Sequence, residues 1–272
     1  MLRQRVNGYD MAYIDIGSGD PLVCIHGSLG DFRTWSPVLG PLSQRHRVIV
    51  PSLRRFFPEH WDGTGGGFTI AQHVADVIAF LEALGGPTGG KLNLLGHSRG
   101  GHIAFRVAQQ RPELLRRLVL AEPGGDLDAS LATGDSLPAF RSHVAAAVET
   151  IAAGDIEGGV AKFVDAINGP GVWRSLAATA RQQLRDNART LLGQVNEQRP
   201  PYSRTDAESI RVPALFIGGA KTPGALPVVL RALAAHVPGA KVEIIPNATH
   251  AMFEDDPVRF SKAVVEFLGS AG

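Results

Sequence analysis

Three short stretches of this chain hold residues that could attack a carbonyl and move a proton. The first, Gly96-His97-Ser98-Arg99-Gly100, follows the apolar run Lys91 to Leu95 and precedes a helical pattern. A serine in a sharp turn between strand and helix presents its hydroxyl clear of the backbone, and glycines two positions to either side keep the turn free of side chains that would strike the neighbouring strand and helix. The second, His26-Gly27-Ser28-Leu29-Gly30-Asp31, closes the apolar run Leu22 to Ile25. The third, Ala248-Thr249-His250, follows the strand-like Lys241 to Ile245. A serine hydroxyl is a weak nucleophile at neutral pH and needs a base that takes its proton and later returns it to the leaving group. Histidine is the side chain whose unperturbed pKa suits that task.

Such groups need a scaffold, and the hydrophobic pattern supplies one. Continuous apolar runs at Val48 to Val50, Leu92 to Leu95, Leu118 to Ala121 and Ala214 to Ile217 read as strands buried on both faces of a parallel sheet. Between them, Ile70, Val74, Val77, Ile78, Leu81 and Leu84 recur at the three-and-four spacing of an amphipathic helix, stopped by Gly85-Gly86-Pro87. Met11 to Gly17 and Pro21 to Ile25, joined through Ser18-Gly19-Asp20, read as a hairpin opening the sheet. From about Asp126 to Ser209 the strand-helix alternation stops. That interval is rich in Ala, Arg and Gln, and is broken by Gly169-Pro170-Gly171 and Pro200-Pro201.

With 272 residues, 44% of them hydrophobic, the chain can bury one large α/β core. A formal net charge of +1, with no long basic run, argues against nucleic acid as a partner. The first residues lack the apolar core of a signal peptide and no stretch is long enough to span a bilayer, so a cytoplasmic location without a membrane partner is expected. The single cysteine, Cys24, sits inside an apolar strand and reads as a small buried hydrophobe. His46, His60, His73, His102, His143 and His236 show no metal-ligand spacing, and no dinucleotide fingerprint is present, so no cofactor is expected.

Through His26-Gly27, Gly96-His97-Ser98-Arg99-Gly100 and Ala248-Thr249-His250, the chain resembles the α/β-hydrolase superfamily from Met11 to Leu268. The resemblance implies a mostly parallel central sheet flanked by helices, with residues 1–125 and 210–272 forming the core. Residues 126–209 would form a cap of three or four helices between strands six and seven, roofing the crevice where ligands of such sheets bind. It makes Ser98 the nucleophile, His250 the base, and the backbone N–H groups of Ser28 and Arg99 the oxyanion hole, with the Arg99 guanidinium turned away or along the surface. His26 becomes a structural member of the oxyanion loop and His97 a turn residue. The family's commonest acid, after the strand Ala214 to Ile217, is missing: Arg211 to Ala240 contains no carboxylate. Some subfamilies, among them haloalkane dehalogenases and certain lactonases, take their acid from the end of the preceding strand. That position makes Glu122 the acid here, ahead of Asp126 and Asp128. Asp255 is placed at the start of the last helix, where a carboxylate suits the helix dipole. Trp35, Phe57 and Trp173 are the candidate pocket residues, Phe57 within an aromatic and arginine-rich stretch, Pro51 to Trp61, that could shape the pocket mouth.

The activity implied is hydrolysis of a small carboxylic ester or lactone through an acyl-enzyme, with a small molecule as the partner and the oligomeric state left open. Serine in place of aspartate at the turn argues against halide displacement. A cofactor-independent dioxygenase of the same fold, and a receptor that keeps the fold but not turnover, are the alternatives.

Overall fold

The computed structural model describes residues 1–85, 90–132 and 140–270, with 140–143 described by backbone alone. The Gly86-Pro87 helix stop and the His143 side chain therefore lie outside the described residues. One sheet of eight strands organises the chain: β1 (Leu2–Val6), β2 (Tyr9–Ile16), β3 (Pro21–Ile25), β4 (Arg47–Pro51), β5 (Leu92–His97), β6 (Leu115–Ala121), β7 (Ala214–Gly219) and β8 (Lys241–Ile245). Their spatial order is β1-β2-β4-β3-β5-β6-β7-β8. The pairs β1/β2 and β2/β4 are antiparallel and every other pair is parallel.

The uninterrupted apolar runs are explained by burial on both sides. Val23, Ile25, Ile49, Leu94, Leu118, Leu120 and Phe216 face one core, which is closed by α2 (Ile70–Gly85), α3 (Arg99–Gln110) and α10 (Leu226–Ala234). Their alternates Leu22, Cys24, Val48, Val50, Leu95, Val119 and Ile217 face a second core, closed by α1 (Ser36–Ser43), α11 (Met252–Asp255) and α12 (Pro257–Gly269). Cys24 is a free, fully buried thiol whose pKa burial pushes up. Among the described residues, no helix is long and apolar enough to cross a membrane.

The antiparallel start differs from the expected hairpin. β2 and β3 do not pair, because β4 lies between them. The hairpin is instead β1/β2, turned by Asn7 and Gly8 at φ of 44° and 75°. Two successive positive φ angles match the twist of a two-residue hairpin turn, and Asn-Gly is its usual signature. β3 has an apolar side chain on each face and takes parallel neighbours at both edges.

Between β6 and β7, the described residues form six helical segments rather than three or four: α4 (Phe140–Ala152), α5 (Ile156–Asn168), α6 (Val172–Ser175), α7 (Ala178–Asp186), α8 (Thr190–Gln194) and α9 (Arg204–Glu208). Three of them are four or five residues long, too short to display an apolar period in the sequence. The insertion is pinched at its base by a parallel bridge between Leu127 and Tyr202. It has a core of its own, Val144, Ala147, Val160, Phe163, Trp173 and Leu191, which also takes in Leu29 from the loop after β3.

Candidate active site

The order of the sheet changes direction between β3 and β5, and the loops leaving those two strands meet there. Ser98 follows β5 with φ 53° and ψ −120°, a conformation that costs a non-glycine residue about 1–3 kcal/mol and persists only where surroundings impose it. They do. The Ser98 N–H donates to Ala121 O at 3.0 Å, and its carbonyl accepts from Gly124 N at 2.8 Å and His102 N at 3.1 Å. The flanking glycines are required by contact: a Cβ on Gly96 would stand 2.4 Å from Gly100 O, and one on Gly100 would stand 2.3 Å from His26 O. A Cβ on Gly27 would lie 2.9 Å from that of Ser98, so the loop after β3 rests directly on the turn.

Glu122 leaves β6 one strand away, also at positive φ (41°), and is fully buried. Its carboxylate is satisfied at both ends. Gly219 N–H donates to Oε1 at 2.9 Å, and the His250 ring contributes Nδ1–H to Oε2 at 2.6 Å. With Nδ1–H directed at the carboxylate, the other ring nitrogen, Nε2, is the one left to meet the serine. Asp128 turns instead to Ser130. The backbone of Asp126 pairs with Tyr202.

The neighbouring histidines hold this arrangement and stay neutral. His97 Nε2 donates to the His250 carbonyl at 2.9 Å and its ring lies 4.4 Å from the His250 ring. Burial holds His97 well below the usual imidazole range. His26 Nε2 accepts from Leu53 N–H at 3.1 Å, which puts its proton on Nδ1, facing Gly27 O at 2.9 Å. Burial pushes His26 down to about 4.

Ser98, His97 and His250 open onto one cavity of about 360 Å³. The loop after β3 contributes Gly27, Ser28 and Leu29, and the insertion contributes apolar side chains that include Phe163, Ile167, Val172 and Leu176. Arg99 is the first residue of α3, so its N–H has no partner within the helix and is available to a ligand.

Several expected placements are corrected. Trp35, Phe57 and Trp173 do not line this cavity. Trp35 is buried against Phe253 and Phe260, at 5.0 and 6.3 Å between ring centroids. Phe57 lies under the Arg33 guanidinium, 3.8 Å away. Trp173 belongs to the core of the insertion. Nor does the Pro51 to Trp61 stretch reach the cavity: Arg54 pairs with Asp76, Arg55 with Glu59, and Phe56 packs on His26. The Arg99 guanidinium is fully buried rather than on the surface, because Glu197 of the insertion and Nδ1 of His73 meet it there.

Asp255 is not at the start of the last helix. Asp256 caps α12 by accepting from Arg259 N at 3.0 Å. Asp255 Oδ2 instead accepts from both Thr249 N (2.7 Å) and Thr249 Oγ1 (2.6 Å), bracing the residue before His250. Asp255→Asn keeps one acceptor oxygen. It is therefore expected to lower kcat by no more than about tenfold, a loss worth roughly one charge-assisted hydrogen bond. Steady-state kinetics beside Glu122→Gln check this, since the latter loss must be the larger by at least an order of magnitude.

A strand-turn-helix serine, a carboxylate-bound histidine and the cavity that both residues line thus lie together on a mostly parallel sheet. Residues 20–257 match the family model for the alpha/beta hydrolase fold, and the chain belongs to that family. An uncharacterized protein of Mycobacterium tuberculosis is 29% identical over 294 residues, spanning 97% of this chain and 80% of its own. Among solved structures, an enol-lactonase from Burkholderia xenovorans superposes with a TM-score of 0.79 at 21% identity, covering 98% of this chain and 100% of that one. An esterase from Rhodococcus gives 0.79 at 23% identity, covering 99% and 98%.

Proposed function

We propose that the protein hydrolyses a small carboxylic ester or lactone through an acyl-enzyme, with Ser98 as nucleophile, His250 as base and Glu122 as the orienting acid. The observation that carries this reading is the His250 to Glu122 hydrogen bond at the floor of the cavity that Ser98 and His250 share. His250 Nε2 takes the Ser98 proton as Oγ bonds to the substrate carbonyl carbon. The resulting oxyanion is received by the Ser28 and Arg99 N–H groups, each worth about 3 kcal/mol at the transition state. Collapse expels the alcohol, which takes the proton from His250. Water, deprotonated by the same nitrogen, then attacks the acyl group and restores Ser98. Glu122 orients the ring and stabilises the imidazolium.

In this reading residues 126–209 act as a cap that determines which acyl groups enter. Among the described residues, the cavity lining holds no lysine or arginine, and most of its insertion-derived side chains are aliphatic. An uncharged, apolar acyl group suits such a surface better than a carboxylate-bearing one. A panel of p-nitrophenyl esters of rising chain length, with a set of neutral lactones, tests the proposal. Multiple turnovers that vanish in Ser98→Ala support it. An unchanged rate in Ser98→Ala, or no turnover of any member, overturns it.

A further inference from the structure

We infer that Gln194 and Glu197, on one turn of the helical insertion, are positioning residues for the oxyanion-binding amides, acting through the side chains of Ser28 and Arg99. The inference rests on the proposed reading in which Ser98 reacts and those two N–H groups receive the oxyanion. Ser28 and Arg99 leave different strands and have no covalent reason to hold a fixed mutual geometry. Both side chains are nevertheless tied to the same short segment. Ser28 Oγ donates to Gln194 Oε1 at 2.8 Å. Arg99 donates from Nε to Glu197 Oε2 at 3.2 Å and from Nη2 to Glu197 Oε1. Arg199 Nη2 adds a further donor to Glu197 at 3.0 Å. In that reading each anchored side chain belongs to a residue whose backbone amide receives the oxyanion, so the anchor limits the rotation of that amide.

Stability does not explain the arrangement. Gln194, Glu197 and Arg99 are all nearly fully buried, and Gln194 Nε2 and Arg99 Nη1 have no hydrogen-bond partner among the described residues. Burying an amide with an idle donor is costly, and a buried ion pair is commonly no more stabilising than apolar residues of similar volume. The gain lies in geometry: an oxyanion hole works by donors fixed before the reaction, and a shift of about 1 Å in a catalytic group can cost a hundredfold in rate. The insertion then does more than shape the acyl pocket, since one of its turns holds part of the catalytic machinery in register.

The test uses the full-length protein and a p-nitrophenyl ester, with rates expressed per site titrated by a fluorophosphonate so that unfolded molecules do not count. Gln194→Leu is expected to lower kcat about 10- to 100-fold with KM within about twofold of wild type. Ser28→Ala, which deletes one oxygen, is expected to show the same loss and to add nothing in the double variant, because both cut one linkage. Gln194→Glu keeps an acceptor for the Ser28 hydroxyl and recovers most of the loss. Glu197→Gln is expected to behave like Gln194→Leu. If Gln194→Leu does not fold, Ser28→Ala alone reads the same linkage. A kcat per titrated site within twofold of wild type in Ser28→Ala and in every Gln194 and Glu197 variant that folds overturns the inference, as does a double-variant loss equal to the product of the singles. Those outcomes leave the Ser98 reading intact. A wild-type protein that neither titrates nor turns over overturns that reading, and the inference with it.

Discussion

Glu122→Gln should lower kcat on an activated ester by roughly three to four orders of magnitude, with little change in KM and little loss of folded protein. Glutamine has the shape of glutamate, but its two ends are no longer equivalent. Gly219 N–H donates to Oε1, so the new amide oxygen is drawn to that position. The amide nitrogen then faces His250 Nδ1 across the 2.6 Å contact that the carboxylate now makes. A donor there forces Nδ1 to accept and moves the imidazole proton to Nε2, the nitrogen that must take the proton from Ser98. The wrong tautomer is selected and the imidazolium loses its counter-charge. Steady-state kinetics beside a thermal melt check the expectation. A kcat within a few-fold of wild type would mean that Ser98 and His250 work without Glu122.

Folding stability should fall on acidification, beginning just below pH 6.5. His26, His73, His97 and His102 are buried and neutral. Burial is the leading cause in each case, pushing His26 down to about 4 and the other three well below the usual range. The nearby charges of Arg99 on His73 and Arg199 on His102 act in the same direction. With folded-state values below the unfolded one, the stability these groups contribute is complete above about pH 6.5. It is lost as pH falls toward the folded-state values, because only the unfolded chain takes up the protons. Each such histidine then removes about 1.4 kcal/mol per pH unit. Melting temperatures should fall as pH drops from 6.5 to 5. A melting temperature that is flat between pH 7 and pH 5 would show that these rings accept protons within the fold.

How much of this was legible in the sequence depended on whether a residue's role is set locally. The serine turn was readable because its glycines answer to contacts within the strand, turn and helix they join, such as Gly96 against Gly100. The paired cores were readable because burial on both faces of a strand leaves an unbroken apolar run. Glu122 was singled out only through the resemblance, since the carboxylate-free stretch from Arg211 to Ala240 turned attention to the subfamilies that take their acid from the end of the preceding strand. The Asn7-Gly8 hairpin carries its own signature, an Asn-Gly pair between two short strands. What tertiary packing decides was not readable. The three aromatic residues pack away from the cavity, since side-chain direction depends on neighbours distant in sequence. The Arg99 to Glu197 pair joins β5's helix to the insertion, and no spacing rule connects the two positions. Asp255 and Asp256 are adjacent carboxylates, and only the break between α11 and α12 determines which caps the helix and which braces Thr249.

The central claim is that Ser98 is an activated nucleophile. Intact-mass analysis of wild type and Ser98→Ala after incubation with a fluorophosphonate tests it most directly. The account predicts one stoichiometric adduct on the wild type, mapped by peptide digestion to Ser98, and none on Ser98→Ala. A wild type that gains no mass, or an adduct that survives in Ser98→Ala, would contradict it.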